Sequence, residues 1–209
     1  MQKLLDYYYF RKKEIKERLK SFGRVWAKSD KKIFRELCFC ICTPQSKAVN
    51  CERAVSELEK SGLLYEGGVR QVRAAMKGVR FPNNKARYII EARRHFYQKG
   101  SCRIKKRIDV KDIISSRDWL VYNIKGIGLK EASHFLRNIG FGKNIAILDT
   151  HILRNLKRYK MIKEIPKSLS RERYLKIERK MRSFSKKIGI PIDELDLLLW
   201  AKETGIVFK

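Results

Sequence analysis

An all-α fold in two helical lobes is what the sequence predicts, on three observations. Apolar residues recur at alternating spacings of three and four through most of the chain, the period of a helix with one buried face. No convincing run of strand-like alternation interrupts them. The periodic segments are punctuated by helix-ending residues, among them Pro44, Gly62, Gly140, Gly189-Ile-Pro191 and Gly205. With 209 residues the chain suffices for one large domain or two small ones. The expected division sets residues 1–25 with 140–209 as a terminal helical domain around a central domain, 26–139. There is no internal repeat, low-complexity tract or flexible Ser/Gly linker.

About ten helices are expected. Residues 1–20 read as a charged helix with Leu4, Leu5, Tyr8 and Tyr9 on its apolar side. Asp30 is placed to cap a second helix that buries Ile33, Phe34, Leu37, Cys38 and Ile41 and stops near Thr43, because the residue before a proline resists the helical conformation. Residues 47–61 form the next helix, closed by Gly62, followed by a short one with Val69, Val72 and Met76. Asn83 or Asn84 is expected to cap a longer helix carrying Ile89, Ala92 and Phe96. Ser116–Asn123 and Leu129–Asn138 flank a Gly-Ile-Gly turn, a helix-hairpin-helix over 116–139, with Gly140 ending its second helix. Asp149 starts a helix that runs to about Tyr159. Tyr174, Ile177, Met181, Phe184 and Ile188 form one amphipathic stripe, and Leu195, Leu198, Leu199 and Trp200 sit on the last helix.

The charge points to the partner. Lys and Arg number 50 against 22 Asp and Glu, a net charge of +28, and so large an excess repels itself unless an anionic polymer is near. A ribosomal or merely basic protein shares that property. Here, however, the cations lie inside amphipathic segments, notably Arg80–Arg107 and Arg154–Lys187, which favours a nucleic-acid-binding face over a disordered arm. Five cysteines stand at 38, 40, 42, 51 and 102 with no CxxC pair; those at 38, 40 and 42 point in different directions on a helix and cannot share one metal. They read as buried thiols of a reducing, cytoplasmic compartment, and no metal or other cofactor is expected. With no signal peptide and no apolar run of about 18 residues, the chain is expected to be neither secreted nor membrane-spanning.

The densest chemistry lies at Asn123-Ile-Lys-Gly-Ile-Gly-Leu-Lys130. Glycines at Gly126 and Gly128 let a tight turn bring backbone N–H groups against a phosphate without a side chain in the way, while Ile124 and Ile127 anchor the turn from below. The next helix opens at Leu129, so its positive end faces the same phosphate, with Ser133 and Arg137 further along it. Such a device grips a strand without reading bases. Lys130 stands in the first turn, where the helix dipole disfavours a cation; that suits an amine that must shed its proton to attack. Asp149 follows the apolar run Ile145-Ala-Ile-Leu148. It is placed to cap a helix, and a capping carboxylate fixed by amides can also stabilise positive charge developing on a sugar. His151 reads as a structural histidine.

The hairpin, the lysine and the downstream Asp149-Thr-His151 resemble the helix-hairpin-helix DNA glycosylase superfamily. Lys125 stands where many members carry proline, and Leu148 where many carry valine. Within the superfamily the chain looks like the archaeal-type (type 2) 8-oxoguanine DNA glycosylase/lyase, nearly end to end: Lys125-Gly-Ile-Gly-Leu-Lys-Glu-Ala-Ser-His-Phe-Leu-Arg137 resembles its hairpin block, and Glu194-Leu-Asp-Leu-Leu-Leu-Trp200 with the final Lys209 its C-terminal end.

The resemblance implies a two-lobed fold with the active site in the cleft between lobes. It also implies a monomer on double-stranded DNA containing 8-oxoguanine, in a prokaryotic cytoplasm. Lys130 would attack the sugar C1′ and Asp149 would support that attack. Lys209 would help to tell 8-oxoguanine from guanine. Trp200 and Phe81 would stack on the extruded base. Gln45, in Thr43-Pro-Gln-Ser46, would fill the gap it leaves. Gly126, Ile127 and Gly128 would hold the DNA backbone. Relatives such as endonuclease III carry four cysteines near the C-terminus for an iron–sulfur cluster; none lies beyond Cys102 here. The adenine-specific branch lacks the lysine. A glycosylase for oxidised pyrimidines or alkylated purines, and a hairpin module that only grips DNA, are the rival expectations.

Overall fold

The structure is a computed structural model that describes residues 1–98 and 100–209. Among the described residues there are eleven α-helices: α1 Gln2–Trp26, α2 Asp30–Cys42, α3 Ala48–Lys60, α4 Leu63–Glu66, α5 Val69–Ala75, α6 Pro82–Phe96, α7 Ile113–Asn123, α8 Leu129–Asn138, α9 Thr150–Arg158, α10 Arg171–Ile188 and α11 Ile192–Thr204. A 3-10 turn spans Ile104–Arg107, and a two-residue antiparallel pair joins Tyr97–Gln98 (β1) to Ser101–Cys102 (β2), too short to leave an alternation signal. None of the described helices is long and apolar enough to cross a membrane. The chain divides into two compact units, one of Met1–Arg24 with Leu136–Lys209 and one of Val25–Phe135.

In the unit Val25–Phe135, α2 is the central element and packs on α3, α6 and the 3-10 turn. Every residue from Ile33 to Cys42 is buried, so the helix lacks a solvent face beyond its first turn. Ile33, Phe34, Leu37, Cys38 and Ile41 are buried as the periodicity predicts, each large side chain contributing about 1.5–3 kcal/mol. Arg35 and Glu36 are also buried, against the usual rule for charged residues. The Arg35 guanidinium donates to Glu36 at 2.9 Å, to Glu59 at 3.1 Å, to Ser56 at 2.9 Å and to Glu52. Removing a cation from such a buried cluster costs about 3–5 kcal/mol, because the carboxylates are left without a counter-charge. Cys38, Cys40, Cys42 and Cys51 are buried in the same core and none is in a disulfide.

Three expected helix starts are corrected. Ser29, not Asp30, precedes α2; Asp30 is its first residue, and its carboxylate instead accepts from the Lys105 amide at 2.9 Å. Neither Asn83 nor Asn84 caps α6. The helix starts with Pro82 at its first position, where a missing N–H does no harm, and Asn83 accepts from Arg73 while Asn84 accepts from Arg87. The first hairpin helix begins at Ile113, one turn before Ser116, because Asp112 accepts from the Ser115 amide at 3.0 Å.

In the other unit, α11 packs on α9 and α10 and is buried along nearly its whole length, which explains its run of leucines. Tyr174, Ile177, Met181 and Phe184 of α10 face the core and Ile188 is half-buried. On α1, Leu4, Tyr8, Ile15 and Phe22 form the buried stripe. Tyr9 is not part of it: at 66 % exposure it points to solvent, one residue round the helix from Tyr8.

Candidate functional site

Ile124 and Ile127 are buried beneath the α7–α8 turn, and Gly126 and Gly128 lie exposed above them. Gly126 adopts φ +83°, and a Cβ there would collide with the Tyr88 ring, so glycine is required on both counts. The Gly128 amide is not left open. It donates to Glu131 Oε2 at 3.2 Å, while Glu131 Oε1 lies 3.3 Å from Lys130 Nζ. The Glu131 carboxylate thus sits where an arriving phosphate would, and it offsets the helix-end repulsion expected at Lys130. Ser133 and Arg137 do not join the exposed surface of α8. Ser133 is fully buried and accepts from Arg117 Nη1 at 3.3 Å; Arg137 is buried and donates to Asp196 at 2.6 Å.

Gln45 and Phe81 share an unusual property. Among the described residues only three that are not glycine have a left-handed backbone: Gln45 (φ +55°), Phe81 (φ +56°) and Lys160 (φ +60°). Each such conformation costs about 1–2 kcal/mol for a residue with a Cβ and persists only when its surroundings enforce it. Both side chains face solvent, Phe81 at 51 % exposure with the Arg80 guanidinium over its ring. The two turns that carry them meet: Ser46 Oγ accepts from the Arg80 amide at 2.9 Å, and Asn50 donates to the Gly78 carbonyl at 3.1 Å.

Asp149 caps α9 as its position predicts, accepting from the Ile152 amide at 2.8 Å. The segment leading to it, Ile145–Leu148, is buried yet neither helix nor strand, so its backbone groups need partners from elsewhere. Side chains of α10 supply three of these bonds. Glu178 Oε1 accepts from the Ala146 amide at 2.9 Å; the Tyr174 hydroxyl donates to the Ala146 carbonyl at 2.6 Å and accepts from the Leu148 amide at 3.4 Å. Asp196 of α11 is close enough for the Ile147 amide and the Asp149 carboxylate to act on it. Burial pushes the Asp196 carboxyl up to about 7; the Arg137 cation opposes that rise, and the charge of Asp149 adds to it.

Trp200 is half-buried on α11, with the His151 ring edge-on at 6.4 Å between centroids. The segment after Gly205 is tied to α1. Val207 is buried, Arg11 donates to the Gly205 carbonyl at 3.2 Å, and Arg18 donates to Val207 at 3.5 Å while lying over the Phe208 ring. Lys209 at its end is half-buried.

A protein-family model described as 8-oxoguanine DNA glycosylase matches residues 15–190. The chain belongs to that family. Among 8-oxoguanine DNA glycosylase relatives, the 8-oxoguanine DNA glycosylase/AP lyase of Fusobacterium nucleatum is 48 % identical over 197 residues, covering 93 % of this chain and 91 % of the relative. That of Korarchaeum cryptofilum is 42 % identical over 203 residues, covering 93 % and 90 %. The crystal structure of the Methanocaldococcus jannaschii 8-oxoguanine glycosylase/lyase in complex with a 15mer DNA containing 8-oxoguanine superposes with a TM-score of 0.89 at 36 % identity, covering 100 % of both chains.

In this member of the family the candidates fall into two groups. Gln45, Phe81, Gly126, Ile127, Gly128 and Lys130 belong to the unit Val25–Phe135; Asp149, Trp200 and Lys209 belong to the other. Sequence reasoning missed Lys85, Tyr174 as a hydrogen-bonding group, Glu178 and Asp196. A signal existed for two of them. Lys85, Ile89, Ala92 and Phe96 share one helical register, and so do Tyr174, Glu178 and Met181: a charge set in an apolar stripe marks a buried ion with a partner.

Proposed function

We propose that the protein excises 8-oxoguanine from duplex DNA and then nicks the strand, with Lys130 as nucleophile. The observation that carries the reading is the hairpin: exposed glycines above buried isoleucines, with Lys130 half-buried in the first turn of the next helix. The hairpin, once a phosphate displaces the Glu131 carboxylate from the Gly128 amide, and the basic surface hold the DNA backbone, so affinity falls steeply with salt. The damaged nucleotide is extruded from the stack at a cost of a few kcal/mol. Phe81 and Trp200 stack on the extruded base, Gln45 enters the gap, and the Lys209 side chain contributes to the preference for 8-oxoguanine over guanine. Neutral Lys130 attacks C1′ and the base leaves with the bond electrons, while the Asp149 carboxylate stabilises the cationic character of the sugar. Loss of a proton from the amine and ring opening give a Schiff base. Removal of the C2′ proton then expels the 3′ phosphate by β-elimination. The protein acts as a monomer. The naming of bacterial and archaeal relatives supports a prokaryotic cytoplasm, at the nucleoid, as its place of work.

The test is incision of duplexes that carry 8-oxoguanine, guanine, an oxidised pyrimidine or an alkylated purine at one site. The expected result is a nick at 8-oxoguanine without alkali, lost in Lys130→Gln while the duplex is still bound. Equal incision at an oxidised pyrimidine or alkylated purine contradicts the substrate; binding without incision leaves only a DNA-gripping module.

A further inference from the structure

Lys85 is a lysine where the fold has no evident use for a charge. It is 4 % exposed, on the buried face of α6. Its ammonium has three N–H donors, and three acceptors take them: the Cys42 carbonyl at 2.7 Å, the Pro44 carbonyl at 2.7 Å and Ser46 Oγ at 2.9 Å. No described carboxylate forms an ion pair with it. Burial therefore works against its charge, and so do the Lys130 and Arg80 cations, while the Cys42 and Cys51 side chains beside it act the other way. What makes the site tolerable is the end of α2. Cys42 is the last residue of that helix, its carbonyl is one of the orphaned acceptors there, and the helix dipole adds negative potential.

From this end the chain turns through Thr43–Ser46, where Gln45 takes its left-handed conformation. Lys85 grips the turn on both sides of Gln45, at Pro44 and at Ser46. Ser46 passes the restraint on, since its Oγ also accepts from the amide of Arg80, the residue next to left-handed Phe81. One buried ammonium thus underlies both strained, solvent-facing side chains.

We infer that Lys85 is a positioning residue for base extrusion, holding Gln45 and Phe81 as a preformed pair so that the extruded nucleotide meets a rigid wedge and a rigid stacking surface. The inference rests on the proposed glycosylase activity. It separates two steps. Extruding an intact 8-oxoguanine needs the pair, whereas nicking a preformed abasic site, which has no base to stack, does not.

Lys85→Met keeps the length of the side chain and removes the donors; Ser46→Ala leaves Lys85 in place and cuts the link to Arg80, and it carries the test if Lys85→Met fails to fold. Both are compared with wild type on an 8-oxoguanine duplex, on an abasic duplex and on a duplex with 2-aminopurine next to the lesion. Excision of 8-oxoguanine is expected to fall about tenfold to 10²-fold, as for a misplaced contact remote from the chemistry. Nicking of the abasic duplex is expected to stay within about threefold, a change too small to count as a lost transition-state contact. The rise of 2-aminopurine fluorescence that reports unstacking is expected to be lost. In a Gln45→Ala background Lys85→Met is expected to cost less than in wild type, because the two act as a unit. Unchanged excision, or an equal fall on both substrates with full additivity, overturns the inference. A wild-type protein that nicks abasic DNA but leaves 8-oxoguanine in place overturns the glycosylase reading instead.

Discussion

The two units hold their reactive candidates by opposite means. In Val25–Phe135 the amine of Lys130 is mounted on regular backbone: a helix, a glycine turn and a second helix, with apolar anchors at Ile124 and Ile127 and one short-range carboxylate, Glu131. In the other unit Asp149 is mounted at the end of an irregular buried segment, whose Ala146 amide and carbonyl and Leu148 amide are satisfied by Tyr174 and Glu178, side chains from further along the chain. The first mount is local in sequence and tolerates side-chain change but not backbone change. The second is non-local and sensitive to the loss of single polar atoms.

The largest effect that sharpens this contrast belongs to Asp149→Asn. Asparagine caps a helix as well as aspartate, so α9 and the melting temperature should be kept, while excision falls about 10²–10³-fold through loss of the negative charge. A matching loss of stability would mean that Asp149 is only a cap. Gly126→Ala attacks the other mount. The left-handed φ alone costs about 1–2 kcal/mol for alanine, and the collision with Tyr88 adds to it, so chemical denaturation should show a larger loss than that. A neutral result would show that the turn can relax and that glycine is not required there.

Tyr174→Phe tests the non-local mount most simply. It removes one hydroxyl and leaves the Ala146 carbonyl and Leu148 amide buried without that partner, an expected loss of about 1–3 kcal/mol together with slower excision. Excision at the wild-type rate would break the link drawn between α10 and Asp149.

The smallest effect concerns pH. The folded Asp196 carboxyl keeps its proton up to about 7, while its ordinary value is 3.8, so between these values the folded chain binds more protons than the unfolded one. This group's contribution to stability is therefore greatest at acid pH and declines as pH rises through that window. Asp196→Asn should flatten that part of the stability profile; an unchanged slope would assign it to other groups.

The same contrast explains what the sequence could reveal. The hairpin helices, the anchoring isoleucines and the Asp149 cap follow from spacing, glycine placement and capping chemistry, all local signals. Family membership was equally legible, because it rests on contiguous motifs around Gly126–Lys130 and Glu194–Trp200. The supports of Asp149 were missed, since Tyr174 read only as part of the apolar stripe, and Glu178, a charge set in that stripe, has its partner at Ala146, far off in sequence. Ser133 and Arg137 were misread for the converse reason: a polar side chain on a basic helix looks exposed until its buried partner, Arg117 or Asp196, is known. The left-handed turns at Gln45 and Phe81 follow from hydrogen bonds to Lys85 and Ser46, which periodicity does not encode.

The account depends most on the identity of the nucleophile, and reductive trapping measures it directly. Borohydride added during reaction with an 8-oxoguanine duplex should leave a stable protein–DNA conjugate, and mass spectrometry of the digested conjugate should place the deoxyribose on Lys130. Lys130→Gln should bind the duplex and give no conjugate. A conjugate mapped to another amine, or trapping by Lys130→Gln at the wild-type rate, would contradict the account.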